Sequence, residues 1–197
     1  MGTSKAMLYA GGRTFLERLI QTHQAGGCAQ VLVALPTLDG PEAVAAADAG
    51  ARVVKNPSPE EGPIGSLRTT LKVLDDSVDG ILFCPVDHPL ILEDTVRLLI
   101  EAFRQSKAPL VVPTLDGKRG HPVLFGRALF DELLNDVLAE GARTVVHRHL
   151  DETVSVPIDD SGTIIDIDDM TQYELHYPDE YRLHSHRHAS SSGLSDP

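Results

Sequence analysis

The chain is short of cysteine, of long apolar runs and of positive charge, and each shortage narrows what it can be. Its 197 residues include two cysteines, Cys28 and Cys84. Neither has metal-ligand spacing, so they read as reduced, buried thiols and not as a disulfide framework. No uninterrupted apolar segment approaches the roughly 20 residues of a membrane-spanning helix, so a bilayer role is not expected. The N-terminus lacks the basic segment and apolar core of a secretory signal, which makes the cytoplasm the expected location. Lys and Arg number 17 against 29 Asp and Glu, a formal net charge of -12. That balance opposes binding to nucleic acid, which needs a basic footprint. Small phosphorylated ligands stay compatible, since a few local cations and a divalent metal can offset the field. Gly-x-Ser-x-Gly and His-Glu-x-x-His are both absent, so hydrolase and metalloprotease readings lack a signal.

What is present is an alternation of strand-like and helix-like segments, which predicts a single α/β domain with a mainly parallel, doubly wound, Rossmann-like sheet. Arg13 to Ala25 is amphipathic and closes on Gly26-Gly27. Strands are expected at 30–35, 51–55, 80–84, 110–113, 122–125, 153–157 and 164–168. Helices are expected at 41–49, 66–74, 92–105, 127–138, 142–150 and 170–177, with Asn56 to Gly65 and Thr114 to His121 as loops. Residues 1–183 form the expected domain. The His- and Ser-rich stretch 184–197 reads as a disordered tail, and its histidines do not make a metal site.

Three constellations can carry chemistry. Ile81-Leu82-Phe83-Cys84 is a near-continuous apolar run, the pattern of a strand covered on both faces, and it leads through Pro85-Val86 to Asp87 before turning at Pro89. In open α/β sheets ligands gather beyond the carboxyl ends of strands, where Asp87 would stand as a metal ligand. It reads otherwise as a loop carboxylate bonded to its own turn. Ile164 to Asp168 alternates, placing Asp166 and Asp168 on one face, either as a second source of metal ligands or as a solvated acidic face. Beside Asp87 these acids would repel one another without a cation, and Mg²⁺ held by carboxylates and substrate phosphates answers that. Glu61 to Arg68 is a Gly/Pro loop running into a helix, able to offer backbone N–H groups or to be an ordinary turn. Lys118-Arg119-Gly120-His121-Pro122 is a basic loop on an acidic chain, able to meet an acceptor phosphate or to be a solvated turn.

In this order the motifs resemble the MobA-like nucleotidyltransferase family, particularly the branch that attaches a nucleotide to molybdenum cofactor. Met1-Gly2-Thr3-Ser4-Lys5-Ala6 resembles the second half of the family's opening signature, and Gly11-Gly12-Arg13-Thr14 the segment that opens its first helix. Asn56-Pro57 with Glu61 to Arg68 is similar to its nucleobase-contacting segment. Pro85 to Pro89 is similar to its metal-binding aspartate turn, Gly120 to Phe125 to its Gly-His-Pro strand, and Ile165 to Asp168 to its acidic pattern before the last helix. The family's buried first strand and Leu-Ala-Ala-Gly-like loop have no counterpart ahead of Met1, so the sheet is expected to be incomplete at that position.

The resemblance implies transfer of a nucleoside monophosphate from CTP or GTP to a small phosphorylated acceptor, molybdopterin cofactor in that branch, with release of pyrophosphate. Lys5 and Asp87 would be catalytic. Lys5, Gly62, Pro63, Gly65, Ser66 and Arg68 would bind nucleotide, Arg119 and His121 the acceptor, and Asp87, Asp166 and Asp168 the Mg²⁺. A non-catalytic nucleotide-binding relative and a sugar-phosphate nucleotidyltransferase are the alternatives.

Overall fold

A computed structural model describes residues 4–191. Its order is β1 (Tyr9–Ala10), β2 (Arg13–Thr14), α1 (Phe15–Ala25), β3 (Leu32–Leu35), α2 (Pro41–Asp48), β4 (Arg52–Lys55), α3 (Pro63–Leu71), β5 (Gly80–Phe83) and α4 (Glu93–Ser106). There follow β6 (Leu110–Leu115), β7 (Lys118–Arg119), β8 (Val123–Gly126), α5 (Phe130–Asn135), α6 (Ala142–Arg148), β9 (Thr153–Pro157), α7 (Met170–His176) and α8 (Pro178–Ser191). No described helix is long and apolar enough to cross a membrane.

The α/β class stands, but the sheet is mixed where a mainly parallel one was expected. β3 and β4 pair in parallel, as do β6 and β9, whereas β5–β8, β6–β8 and β6–β7 are antiparallel. The reversal has a local cause in Asp116 (φ 49) and Gly117 (φ 77). Two central residues at positive φ make the tight turn that suits an antiparallel hairpin, and Asp-Gly is a preferred pair for it. The expected loop 114–121 is therefore a hairpin, with Lys118 and Arg119 on its return strand.

The β3–β4 pair and the five-stranded sheet are not hydrogen-bonded to one another. Among the described residues β3 pairs only with β4 and β5 only with β8. All four residues of each strand are half-buried, where the apolar run of β5 predicted full burial. The expected break in the sheet lies here.

Elsewhere the apolar pattern packs as its periodicity requires. Thr14 and Glu17 form a capping box at the start of α1, satisfying two of its free N–H groups, and the helix buries Phe15, Leu16, Leu19, Ile20 and His23. A Cβ on Gly26 would lie 2.5 Å from Val96, so the end of α1 can touch α4 only through a glycine. The main core gathers Leu67 and Leu71 of α3, Leu133 of α5 and Val145 of α6 on one face of the sheet, against Leu110, Val112, Val123 and Phe125. Leu99 of α4 meets Val111 and Leu124 on the other face. Each such side chain contributes about 1.5–3 kcal/mol when fully buried.

The segment between β9 and α7 departs from the reading of 164–168 as a strand. Residues 165–168 are irregular, joined to no ladder, yet Ile167 is buried while Asp166 and Asp168 are exposed. Asp160, itself buried, fixes this segment. One carboxylate oxygen accepts from Gly162 N–H (2.9 Å), and the other from Leu92 N–H (2.9 Å) and the Thr95 hydroxyl (2.6 Å) at the start of α4. Beyond α7, helix α8 continues through residues 184–191, where a disordered tail was expected; residues 192–197 lie outside the described residues.

Two stability measurements check this account. Asp160→Ala strands three donors at once, and hydrogen bonds to charged groups are worth about 1.5–3 kcal/mol each. A loss of about 3 kcal/mol, roughly 10 °C in Tm by calorimetry, is expected. His23 is buried, its Nδ1 faces Leu19 O at 2.8 Å, and its Nε2 has no partner. Burial pushes its pKa below the ordinary value. The unfolded chain therefore binds the extra proton first, and stability present above about pH 6.5 falls as pH drops towards the lowered folded value. Denaturant unfolding at pH 7.5 and 5.5 should show a shallower acid loss in His23→Leu.

Candidate functional site

β5 delivers the chain into the turn that carries Asp87, and that turn is held from three sides. Arg18 of α1 donates through Nε to Pro89 O (2.6 Å). His88 N–H reaches Pro85 O (3.4 Å), and Asp87 O accepts from Ile167 N–H (2.7 Å). The last bond brings Asp166 and Asp168, on either side of Ile167, to the carboxyl end of β5. Within the Asp87 carboxylate, Oδ1 is buried and lacks a hydrogen-bond partner; its neighbour is His88 Nε2 at 3.8 Å. A buried carboxylate oxygen without a donor is costly, and a cation is the usual remedy.

Asp168 already has one. Lys5 Nζ lies 2.6 Å from its Oδ1, and this hydrogen bond and charge hold the Asp168 carboxyl below the usual range. Met1-Gly2-Thr3, the rest of the opening element, lies outside the described residues. No three His, Cys, Asp or Glu side chains among the described residues are arranged to hold a metal alone. Mg²⁺ does not require that, because it binds through one or two carboxylates with water and substrate phosphates. The unpartnered Asp87 oxygen beside an acidic segment fits such a group.

Gly120 and His121 pack against the same segment. A Cβ on Gly120 would stand 2.3 Å from Thr163 O, and His121 N–H donates to that carbonyl (2.8 Å). Gly162 is similarly confined, its would-be Cβ 2.4 Å from the Leu90 carbonyl carbon. The His121 and His88 rings lie 4.7 Å apart. Burial first, then the neighbouring His88, lowers the His121 pKa to about 4, leaving a neutral imidazole whose Nδ1 has no partner. Near Asp87 the Cys84 thiol is pushed up by burial, with the Asp87 charge adding to it.

Within the Glu61–Arg68 segment the helix starts three residues earlier than the expected 66–74. α3 begins at Pro63, so Gly65, Ser66 and Arg68 are helical, and Gly62 (φ 67, ψ -148) is its N-cap in a conformation glycine alone adopts readily. The N–H groups of Gly62, Gly65 and Ser66 are already paired with Pro59 O, Gly62 O and Gly62 O. Gly65 permits close packing, since a Cβ would meet Ser58 O at 2.9 Å. Arg68 spends its guanidinium on Leu133 O (2.9 Å), Asp136 O (2.7 Å) and Glu61 (3.6 Å), tying α3 to α5. Buried Asn56 organises the approach through Ser58 N–H (3.0 Å) and Ser66 Oγ (3.3 Å).

A cavity of about 990 Å³ opens beside Pro85 and His121, between the β6–β7 hairpin and α6. It unites Pro63, Arg119 and His121 of the expected site residues. Lys5, Asp87, Asp166 and Asp168 do not line it; Lys5 pairs with Asp168, and Asp87 is bonded to the backbone between Asp166 and Asp168. The cavity also adds Arg143 and His147 from α6, which sequence reasoning missed: within a short, mostly polar helix nothing marks one face as a cavity wall.

A family model, the MobA-like NTP transferase domain, matches residues 1–154. Among solved structures, Rv0371c from Mycobacterium tuberculosis H37Rv is 24% identical with a TM-score of 0.73, the match covering 89% of each chain. A manganese complex of the same protein gives 23% and 0.71, covering 90% of this chain and 93% of that one. A nucleotidyl transferase from Methanothermobacter gives 17% and 0.75, covering 92% and 87%. At these identities the structures show a shared fold. No curated protein matches the sequence. The Asp87 turn, the Gly-His-Pro strand and most of the α/β fold lie within the 1–154 match, and the chain belongs to the MobA-like NTP transferase family.

Proposed function

We propose that the chain transfers a nucleoside monophosphate from an NTP, CTP or GTP, to a small phosphorylated acceptor, with molybdopterin cofactor as the specific acceptor, releasing pyrophosphate. The observation that carries this reading is the buried, unpartnered Asp87 oxygen in the turn after β5, beside the acidic segment anchored through Ile167. An acceptor phosphate oxygen bonds to the α-phosphorus as the bond to the bridging oxygen breaks, and that electron pair leaves with pyrophosphate. The acceptor is already ionised, so no general base is needed.

Asp87, with Asp166 or Asp168, would hold Mg²⁺ or Mn²⁺, which supplies charge neutralisation on the phosphate oxygens when bound. A manganese complex of a structural neighbour supports divalent-metal use. Lys5 adds a point charge to the phosphates, and to do so it exchanges its Asp168 partner for nucleotide. Gly62 and Pro63 form the wall nearest the base, while Ser66, Gly65 and Arg68 keep that wall in place through the contacts described above. Arg119 meets the acceptor's anionic group. His121 is neutral near pH 7, so it orients the acceptor by hydrogen bonding and adds no charge.

The test is pyrophosphate release with each NTP, Mg²⁺ or Mn²⁺, and molybdopterin. Asp87→Asn should lower the rate at least about 100-fold, the scale for removing one preorganised electrostatic group, with little change in Tm. Near-normal release by this variant would refute the role of Asp87, and tight NTP binding without any release would favour a non-catalytic nucleotide-binding relative. Lys5→Ala should move two quantities oppositely. Mn²⁺ binding without nucleotide, followed by electron paramagnetic resonance, strengthens roughly two- to fivefold as Asp168 loses its competitor. Turnover per bound nucleotide falls about tenfold.

A further inference from the structure

We infer that Tyr173 and Glu180, on the C-terminal helices α7 and α8, are positioning residues for Lys5: they clamp the β1–β2 hairpin that follows Lys5 and so set where its ammonium meets Asp168 and the nucleotide phosphates. The inference rests on the nucleotidyltransferase reading and adds the device that aims one of its charges. Both helices lie beyond the matched residues 1–154.

The hairpin cannot hold itself. Each of its strands has two residues, and it turns on Gly11 (φ 62) and Gly12 (φ 81). Two positive φ angles make a tight turn, but a lone two-stranded hairpin is at best marginally stable in water. The bonds that close such a turn join Ala10 and Arg13, which leaves the Gly11 N–H over. It donates to Glu180 Oε1 (2.9 Å). Tyr173 adds a second tie, its hydroxyl donating to Tyr9 O (2.9 Å). Burial, then the Glu180 charge, pushes the Tyr173 pKa up to about 12, so the hydroxyl keeps its proton and stays a donor.

Packing carries the clamp to Lys5. Leu8 is buried in one cluster with Phe15, Ile167, Tyr173 and Tyr177, and its carbonyl accepts from Phe15 N–H (2.8 Å). Its own N–H donates to Lys5 O (3.1 Å), closing the 3₁₀ turn Lys5–Met7. The Lys5 backbone is thus one turn away from a segment held by α1 on one side and by α7 and α8 on the other. α7 starts beside Asp168: Asp169 caps it by accepting from Gln172 N–H (2.8 Å). One helix therefore follows directly on Asp168 and reaches the hairpin behind Lys5.

The Lys5–Asp168 ion pair is a poor substitute for this clamp. Its side chains are 27% and 63% exposed, and exposed pairs are worth about 0–1 kcal/mol. The pair is also given up when Lys5 turns to the phosphates. An ammonium on a flexible four-carbon stem then stays within reach only if its backbone is fixed.

A double-mutant cycle separates aiming from general support. The whole chain is compared with Lys5→Ala, with the clamp variant Tyr173→Phe/Glu180→Ala, and with all three changes together, at a temperature where calorimetry shows every form folded. Tyr173→Phe keeps the ring in its packing against Phe15 (5.8 Å) and Tyr177 (5.9 Å) and removes only the hydroxyl. With Lys5 present the clamp variant should lower turnover per bound nucleotide about fivefold, a share of the roughly tenfold loss expected for Lys5→Ala. Without Lys5 it should lower turnover no further. Glu180→Gln keeps an oxygen for the Gly11 N–H and should retain near-parent turnover where Glu180→Ala does not. Nucleotide-free Mn²⁺ binding, read by electron paramagnetic resonance, lies outside catalysis: the clamp variant should tighten it about twofold when Lys5 is present, because Asp168 is then less firmly paired, and not at all in Lys5→Ala. Equal turnover losses with and without Lys5, or none with Lys5 present, would overturn the clamp and leave the transfer reading standing. If no form releases pyrophosphate, the transfer reading fails and Mn²⁺ binding alone decides the clamp: Lys5-dependent tightening supports it, and unchanged affinity overturns it.

Discussion

The acidic edge of the molecule depends on how one buried carboxylate is satisfied. Asp160 has no hydrogen-bonded cation among the described residues; two backbone N–H groups and one hydroxyl take its place. Two of those donors belong to the start of α4, so the same interaction caps a helix whose own N-cap, Leu92, has no capping side chain. The third fixes Gly162. From there the chain has little freedom: Gly162 is pressed against Leu90, Thr163 against Gly120, and Ile167 is bonded to Asp87. A carboxylate with no part in the proposed chemistry thus sets where Asp166 and Asp168 lie. Replacing either confined glycine would force backbone against backbone, where no flexible side chain can yield.

Charge divides this part of the surface into two districts, with His121 at their boundary. On one side Asp87 is joined through the Ile167 N–H to the segment that carries Asp166 and Asp168, with Lys5 paired to Asp168. On the other, Lys118, Arg119, Arg143 and His147 ring an apolar hollow. A nucleotidyl transfer needs both kinds of surface close together, an acidic one to recruit metal and a basic one to draw in an anionic acceptor. Burial keeps the boundary neutral by holding His121 unprotonated. A charged imidazole there would pull the acidic side chains towards itself and blur the separation.

The legible parts of the sequence were those decided locally. β9 matched its expected bounds, and α1, α2, β4 and α4 came within about two residues, because apolar periodicity and capping residues act over a few positions. The alternation in 164–168 gave the right exposure for Asp166, Ile167 and Asp168, yet no strand forms, since alternation reports burial and not a partner. Two of the departures carry local signals. Pro63 after Gly62 marks a helix start, and Asp116-Gly117 marks a hairpin. The Asp160 clamp could not be read at all: its partners in α4 lie 65 and 68 residues away, and no pattern within a window connects them. The cavity wall from α6 was hidden because a short, mostly polar helix marks no one face.

The two separate sheets raise the question of what their unpaired edges cost. An unpaired backbone group costs about 1–3 kcal/mol when it is buried dry, so a row of them would exceed the whole stability of a domain, about 5–15 kcal/mol. That arithmetic applies only without water. Every residue of β3 and of β5 is half-buried, not enclosed, so water can supply much of the missing bonding and the penalty per group falls well below the dry value. The cost then moves to the side chains. Ile81, Leu82 and Phe83 leave apolar surface uncovered beside an edge that is unpaired among the described residues, the combination that invites pairing with another strand. Stability is therefore lost less through broken hydrogen bonds than through incomplete apolar burial, on the same strand whose far end presents Asp87.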